Sequence, residues 1–222
     1  NGTEIDNLSL SPAPTTVTID ETHNVAIASW STPLPLAQAM TLTFELQQEI
    51  RGIPNNLQEL DRRLVANGTF LDQRFVIPTL GYNHHLEIDN STHRGELNLP
   101  PQPDMPEPDA PGVRQRFFGA AHSGFVSYEA IISTEPDQTA LTSGELIKTW
   151  TADNRRSFHY RIPSKCLHYL GFVSGRFEME RKVWNDVPVE VYYHPDHDMN
   201  VDTILNAAID TLKYCSDTYN SY

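Results

Sequence analysis

Apolar and polar side chains alternate along most of this chain, which is the pattern of strands with one buried face. Residues 40–46 are the clearest case, because Met40, Leu42, Phe44 and Leu46 alternate with polar side chains. A period of two predicts a half-buried strand. The same pattern predicts strands at 17–19, 25–28, 125–132, 158–162, 171–179 and 187–193.

Turn-forming residues separate these strands, and no helical pattern falls between them. Asn, Asp, Gly and Pro favour turns for distinct backbone reasons. They cluster at 20–24, 54–56, 66–68, 152–154 and 185–186. Many short strands without intervening helices are typical of antiparallel sheets packed face to face. The sequence therefore predicts a mainly β chain with an antiparallel β-sandwich.

A proline-rich stretch, LPPQPDMPEPDAPG, occupies residues 99–112. Proline cannot donate to a β-ladder, so the stretch predicts an extended surface crossing. It could be a linker between domains or a long connection within one sandwich. Strand patterns flank it on both sides, which favours the connection.

The last segment changes period and predicts one amphipathic helix over 200–218. Its apolar residues follow three-four spacing, Asn200 is a suitable N-cap, and Asp202 places a negative charge in the first turn. The apolar stripe requires a partner surface. We therefore expect a β-sandwich domain over 1–183 and the start of a second, truncated domain over 184–222.

Charge and hydropathy exclude some partners. The 222 residues include 16 Lys plus Arg against 29 Asp plus Glu, for a formal net charge of −13. Such a charge repels phosphate backbones and anionic lipid, so we expect no nucleic-acid partner. No apolar run approaches the length of a membrane-spanning helix.

The two cysteines do not predict a disulfide framework. Cys166 lies in an apolar, strand-like stretch, and Cys215 lies on the apolar side of the predicted helix. We expect two buried free thiols, with a single disulfide between them as the alternative.

Two histidine clusters raise the question of a metal site. Residues 194–198 read HPDHD, and His84 and His85 stand near Glu87 and Asp89. Metal sites use such ligands, but a polar turn set by proline explains the first cluster more simply. The chain also contains no H-E-x-x-H, no C-x-x-C, no phosphate-binding glycine loop and no G-x-S-x-G. We predict no catalytic and no metal-ligating residues in this chain.

Several stretches, taken in order, resemble one family. They are NGTFLDQRFVIPTLGY at 67–82, LNLPPQPDMPEPDAP at 97–111, and residues 158–204. The order resembles the region just upstream of the catalytic core in bacterial zinc aminopeptidases of the aminopeptidase-N type. The subgroup it resembles most is fused behind an ABC-transporter permease.

The resemblance implies a saddle-shaped, non-catalytic β-sandwich as the first peptidase domain. Strand 187–193 and helix 200–218 would open the catalytic domain, whose zinc would bind beyond Tyr222. Neither end of the chain looks like a natural terminus, so we expect a piece of a longer polypeptide. The implied partners are the downstream catalytic domain, the amino end of a peptide substrate and an upstream transmembrane transporter domain. The implied location is a membrane-tethered, periplasmic domain in a bacterium.

The resemblance also implies one set of substrate-binding residues. In the family, a loop upstream of an aromatic-Pro step helps to hold the free amino end of the peptide, and Ile77-Pro78 resembles that step. The corresponding loop is Asn67, Gly68, Thr69 and Phe70. Asn67 and Thr69 replace the usual Gln and Glu, so a carboxylate is missing. An ordinary Asn-Gly turn between two strands is the structural alternative.

Two other functions stay open at this level. A stand-alone β-sandwich with exposed aromatics and acidic charge is suited to bind carbohydrate or a basic partner. A degenerate peptidase-like domain that regulates an adjoining ABC transporter is the second alternative.

Overall fold

About half of the described residues lie in strands, and every pairing is antiparallel. The computed structural model describes residues 2–20, 25–36, 38–49, 64–65, 67–78, 88–101 and 125–220. The prediction of a mainly β chain with a C-terminal helix is confirmed. The chain divides into two compact units, residues 1–62 and 63–222.

The first unit consists of two antiparallel strand pairs among its described residues. β1 (Gly2–Ser11) pairs with β4 (Thr41–Glu49), and β2 (Thr16–Asp20) pairs with β3 (Val25–Ser29). The sequence pattern located β2, β3 and β4. It missed β1, whose register with β4 shifts between residues 6 and 9 and so breaks the alternation.

The second unit contains eleven described strands. They are β5 (Leu64–Val65), β6 (Gly68–Asp72), β7 (Phe125–Val126), β8 (Glu129–Thr134), β9 (Thr139–Thr142), β10 (Glu145–Ala152), β11 (Arg155–Arg161), β12 (Cys166–Leu167), β13 (Gly171–Gly175), β14 (Glu178–Trp184) and β15 (Val187–Tyr193).

Two sheets of this unit pack together as a sandwich. One has the strand order β10-β11-β8 and the other the order β5-β6-β13-β9. Ala140 of β9 is fully buried against Phe158 and Tyr160 of β11, which are 2% and 6% exposed. The Tyr160 hydroxyl donates to the Ala140 carbonyl at 2.9 Å, so a hydrogen bond satisfies the buried hydroxyl.

Two predicted strands are each split in the structure. The predicted strand 171–179 is β13 followed by β14, and the chain leaves one sheet for another at Arg176 and Phe177. The ring of Phe177 covers Gly175, where a Cβ would lie 2.6 Å from the ring. The predicted strand 125–132 is likewise β7 and β8. Alternation continues through both breaks, so the sequence pattern could not locate them.

The expectation of no helix between the strands is wrong. α1 (Gln73–Val76) follows β6, and α2 (Ser91–Glu96) precedes β7. Asn90 caps α2 by accepting from the backbone N–H groups of residues 92 and 93. The buried Arg94 donates to the carbonyls of Ile88 and Pro100. Both helices are too short to show a three-four period.

The predicted C-terminal helix is α3 (Val201–Thr218), which packs on the hairpin β14–β15. Val201 is 5% exposed and Leu205 is fully buried. Lys182 Nζ on β14 donates to Asp202 and Asn206 on the helix, at 2.8 Å each. Asn200 occupies the N-cap position, as predicted, although its side chain makes no cap hydrogen bond.

The cysteines are free, as expected, but they are not both buried. Cys166 is half-buried and its thiol lies 3.7 Å from the Val126 carbonyl. Cys215 is exposed. Burial of α3 is deepest in its first two turns, at Val201 and Leu205, and Cys215 lies beyond them.

The expected boundary between residues 183 and 184 lies within β14, one residue before the turn to β15. The division into domains 1–183 and 184–222 stays a prediction about a longer polypeptide. Of the proline-rich stretch, residues 102–112 lie outside the described residues. None of the described helices is long and apolar enough to span a bilayer.

Candidate functional site: the Asn67 turn

Three strands of the four-stranded sheet bring distant residues together at one end. Gly68 pairs with Gly175, and Gly175 pairs with Thr139. Gly68 is the first residue of β6, Gly175 the last of β13 and Thr139 the first of β9, so these three residues form one row at the end of the sheet. Asn67, Arg176 and Gln138 each lie one residue beyond it. We call Asn67, Asp137, Gln138 and Arg176 the Asn67 site. The connection between β5 and β6, which contains Asn67, is the Asn67 turn.

Asn67 is held by its neighbours although its side chain is exposed. The Gln138 side chain donates to the Asn67 carbonyl at 3.5 Å, and Arg176 Nη1 donates to Asn67 Oδ1 at 3.4 Å. Gln138 is 6% exposed and accepts from the buried Thr134 hydroxyl at 2.6 Å. A buried amide with both ends bonded is a rigid support, because leaving either end unpaired would cost free energy.

An ion pair orients the arginine that contacts Asn67. Arg176 Nε lies 2.6 Å from Asp137 Oδ2, with side-chain exposures of 43% and 56%. An exposed pair contributes about 0–1 kcal/mol to stability, so its effect is mainly on geometry. The planar guanidinium contacts Asp137 and Asn67 with different nitrogens, and this fixes its direction.

Gly68 is required by close packing of the backbone. A Cβ at this position would collide with the carbonyl oxygen of Ser174 on β13. The neighbouring strand therefore approaches more closely than any other residue type would allow. In the register of β5 and β6, Val65 pairs with Gly68, so Gly68 is the first strand residue after the turn and not a central residue of an Asn-Gly turn.

Thr69 and Phe70 lie on opposite faces of the sheet. Thr69 and Ala140 both pair with Ser174, so Thr69 shares the face of the buried Ala140. Phe70 lies on the other face and is 62% exposed. Of the four predicted substrate-binding residues, Asn67 and Phe70 present exposed side chains, Thr69 is half-buried, and Gly68 sets the backbone. Their role in substrate binding stays a prediction.

A glutamine fixes the chain that leaves β6 toward Ile77-Pro78. The Gln73 side chain donates to the His168 carbonyl at 2.5 Å and accepts from the Leu170 N–H at 2.6 Å. Its own N–H donates to the Leu170 carbonyl at 2.9 Å. Leu170 is 4% exposed. Three bonds therefore tie the end of β6 to the start of β13.

The first histidine cluster forms a capped turn. Residues Pro195–His197 make one 3₁₀ turn, and His194 Nδ1 accepts from the Asp196 N–H at 3.3 Å. No group of three or more His, Cys, Asp or Glu among the described residues is arranged to hold a metal. Of the second cluster, His84, His85 and Glu87 lie outside the described residues, and Asp89 lies within them.

A tyrosine on β15 has a strongly raised pKa and is paired with a carboxylate of the same strand. The Tyr192 hydroxyl donates to Glu190 Oε2 at 2.9 Å, and Arg181 lies 3.7 Å from the other oxygen of Glu190. Burial and then the hydrogen bond to Glu190 raise the pKa of Tyr192 to about 12. Through Arg181 of β14, the pair bridges the β14–β15 hairpin.

This chain is similar to solved structures, but it matches no family model and no curated protein. Among solved structures, it is similar to a variant of an M1 zinc metallopeptidase from Deinococcus radiodurans bound to a Tyr-Ser-Ala substrate. The TM-score is 0.47 and the identity 11%, over 100% of this chain and 44% of that chain. This chain thus spans less than half of that protein, and a likeness at this level assigns neither a shared fold nor an activity.

The residues that support the Asn67 turn were not predicted. Asp137, Gln138 and Arg176 stand far from Asn67 in the sequence, and nothing in their local context marks them. Their proximity follows from the register of β6, β13 and β9. A prediction of that register could have found them, because the residues just beyond a paired row must lie together.

Proposed function

We propose that this chain is the non-catalytic, β-rich front part of a zinc aminopeptidase, where it forms one wall of the peptide-binding cleft. The observation that supports this most is the Asn67 turn, which combines exposure with rigid support. Substrate walls need that combination, because a side chain that must be ordered on binding weakens affinity. Phe70, the third residue of β6, adds an exposed aromatic side chain next to the turn.

The sequence resemblance supplies the remainder of the proposal. In it, the zinc ion and a glutamate general base belong to a downstream catalytic domain that starts with β15 and α3. Zinc would activate the water that attacks the first peptide bond. The residues of this chain would contact the amino end of the peptide and carry no step of the reaction.

Membrane association is a further part of the same proposal. On the sequence resemblance, we place an ABC-transporter permease domain before the chain and the peptidase in the periplasm of a bacterium. Sequencing the gene in both directions tests this directly. Transmembrane segments upstream would support the fusion, whereas a complete reading frame without them would contradict it.

Kinetics on an extended, active polypeptide test the substrate wall. We expect Asn67→Ala and Phe70→Ala each to raise KM about fivefold or more, the effect of about 1 kcal/mol of lost contact. Ile131→Ala is a matched control, because Ile131 is 64% exposed on a strand of the other sheet. Unchanged kinetics in both Asn67→Ala and Phe70→Ala would remove this role.

A second candidate function is a stand-alone binding module, and one observation favours it. The hairpin β2–β3 exposes four aliphatic side chains, at fractions of 42–66%: Val17, Ile19, Val25 and Ile27. Exposed apolar surface of this kind often marks an interaction site. This alternative expects the chain by itself to bind a basic protein or an oligosaccharide, which calorimetry would detect. A degenerate peptidase-like regulator is distinguished by a downstream domain that lacks H-E-x-x-H.

A further inference from the structure

The hydrogen-bonding pattern at Asn67 determines which chemical group this turn can bind. Arg176 has only donors, so the Asn67 atom that faces it must be the amide oxygen. The amide nitrogen Nδ2 then points away from Arg176. It makes no hydrogen bond to any other residue in the described part of the chain. The exposed Asn67 side chain therefore offers a hydrogen-bond donor.

Each acceptor group of the Asn67 site already holds one hydrogen bond or ion pair. Asn67 Oδ1 accepts from Arg176 Nη1, the Asn67 carbonyl accepts from Gln138, and Asp137 Oδ2 is paired with Arg176 Nε. An ammonium group only donates and requires acceptors. Arg176 lies 3.4 Å from Asn67 Oδ1, and its positive charge opposes an ammonium group at that oxygen. Asn67 Oδ1 is therefore disfavoured as an acceptor for the free amino end of a peptide.

We propose that the Asn67 turn binds an acceptor oxygen of the peptide, a backbone carbonyl near its amino end, through Asn67 Nδ2. Arg176 is the positioning residue, because it fixes which end of the Asn67 amide faces outward. This inference rests on the proposed function, and it replaces amine recognition by carbonyl recognition at the same turn.

Binding to the 222-residue chain itself tests the inference without any enzymatic activity. The probe is acetyl-Ala-Ala-Ala-amide, which has carbonyl oxygens and no free amine, added at millimolar concentration to the isotope-labelled chain. We expect the side-chain amide resonance of Asn67 to shift, and the shift to be lost in Arg176→Ala and largely kept in Arg176→Lys. No shift in the unmodified chain, or equal shifts in all three proteins, would overturn the proposal.

Kinetics on the extended polypeptide give a second test, in which a carbonyl ligand and an ammonium ligand predict changes of KM in opposite directions. Asn67→Asp replaces the donor by a negatively charged acceptor. If the turn binds a carbonyl oxygen, KM should rise about tenfold, since one hydrogen bond is lost and like partial charges meet. If the turn binds an ammonium group, KM should fall, and that result would refute the inference. An extended polypeptide with no activity would instead refute the proposed function, while the resonance shift would still decide the inference.

Discussion

Adding a single methyl group at Gly68 is the sharpest perturbation that the structure offers. In Gly68→Ala, the new Cβ would collide with the Ser174 carbonyl oxygen. Both atoms are held by the sheet, because Gly68 pairs with Gly175 and Thr69 pairs with Ser174. The clash can be relieved only by separating β6 from β13.

The size of the effect follows from that separation. Overpacking costs about 1–3 kcal/mol, and each weakened ladder hydrogen bond adds about 1 kcal/mol. Replacing glycine gains about 0.4–1 kcal/mol through the unfolded chain. With one hydrogen bond weakened, we therefore expect Gly68→Ala to lower the free energy of unfolding of residues 63–222 by about 1–4 kcal/mol.

Urea unfolding followed by the fluorescence of Trp150 and Trp184 measures this free energy. A Trp30→Phe background removes the signal of residues 1–62. The matched control is Gly95→Ala in α2, where a Cβ would meet no atom within 4 Å, so the same chemical change should be neutral or slightly stabilising. Equal stabilities for Gly68→Ala and Gly95→Ala would refute the close approach of β6 and β13.

Three further predictions concern packing, pH and thiol exposure. Leu205→Ala should destabilise the contact of α3 with its hairpin by about 2–4 kcal/mol, whereas Ile204→Ala, at a position 51% exposed, should change the unfolding free energy far less. Because the folded pKa of Tyr192 is raised from 10.0 to about 12, its stabilising contribution is complete below pH 10 and is lost as pH rises toward 12. Solvent screening holds this loss below about 1 kcal/mol, and Tyr192→Phe should unfold with a weaker pH dependence in that window. In the native chain, a maleimide should modify the exposed Cys215 before the half-buried Cys166, and mass spectrometry of timed samples would show the reverse order if the packing of α3 were different.

The sequence predicts those strands and helices whose hydrophobic pattern reflects one buried face. The alternation of 187–193 and the three-four spacing of 201–212 each reflect a single buried face, so β15 and α3 were located within one or two residues. The turns at 153–154 and 185–186 were also predicted, because Asn and Asp tolerate the positive φ angles of 44–64° found there.

Features that depend on two distant segments could not be predicted. The break between β13 and β14 separates pairing with β6 and β9 from pairing with β15, and the alternation of residues runs through it. The exposure of Cys215 depends on where the partner surface of α3 ends. At the candidate site, the family resemblance pointed to Asn67 and Gly68, but Arg176 lies beside them only through the register of β6 with β13.

We propose that this chain is the non-catalytic front part of a zinc aminopeptidase. The most direct test measures zinc content and hydrolysis of an aminoacyl amide in an extended polypeptide that continues through the next few hundred residues, with the 222-residue chain as control. We predict about one zinc per extended polypeptide, with activity that a chelator abolishes, and neither zinc nor activity in the control. Zinc-dependent hydrolysis by the control after purification to homogeneity, or neither zinc nor hydrolysis in the extended polypeptide, would contradict the account.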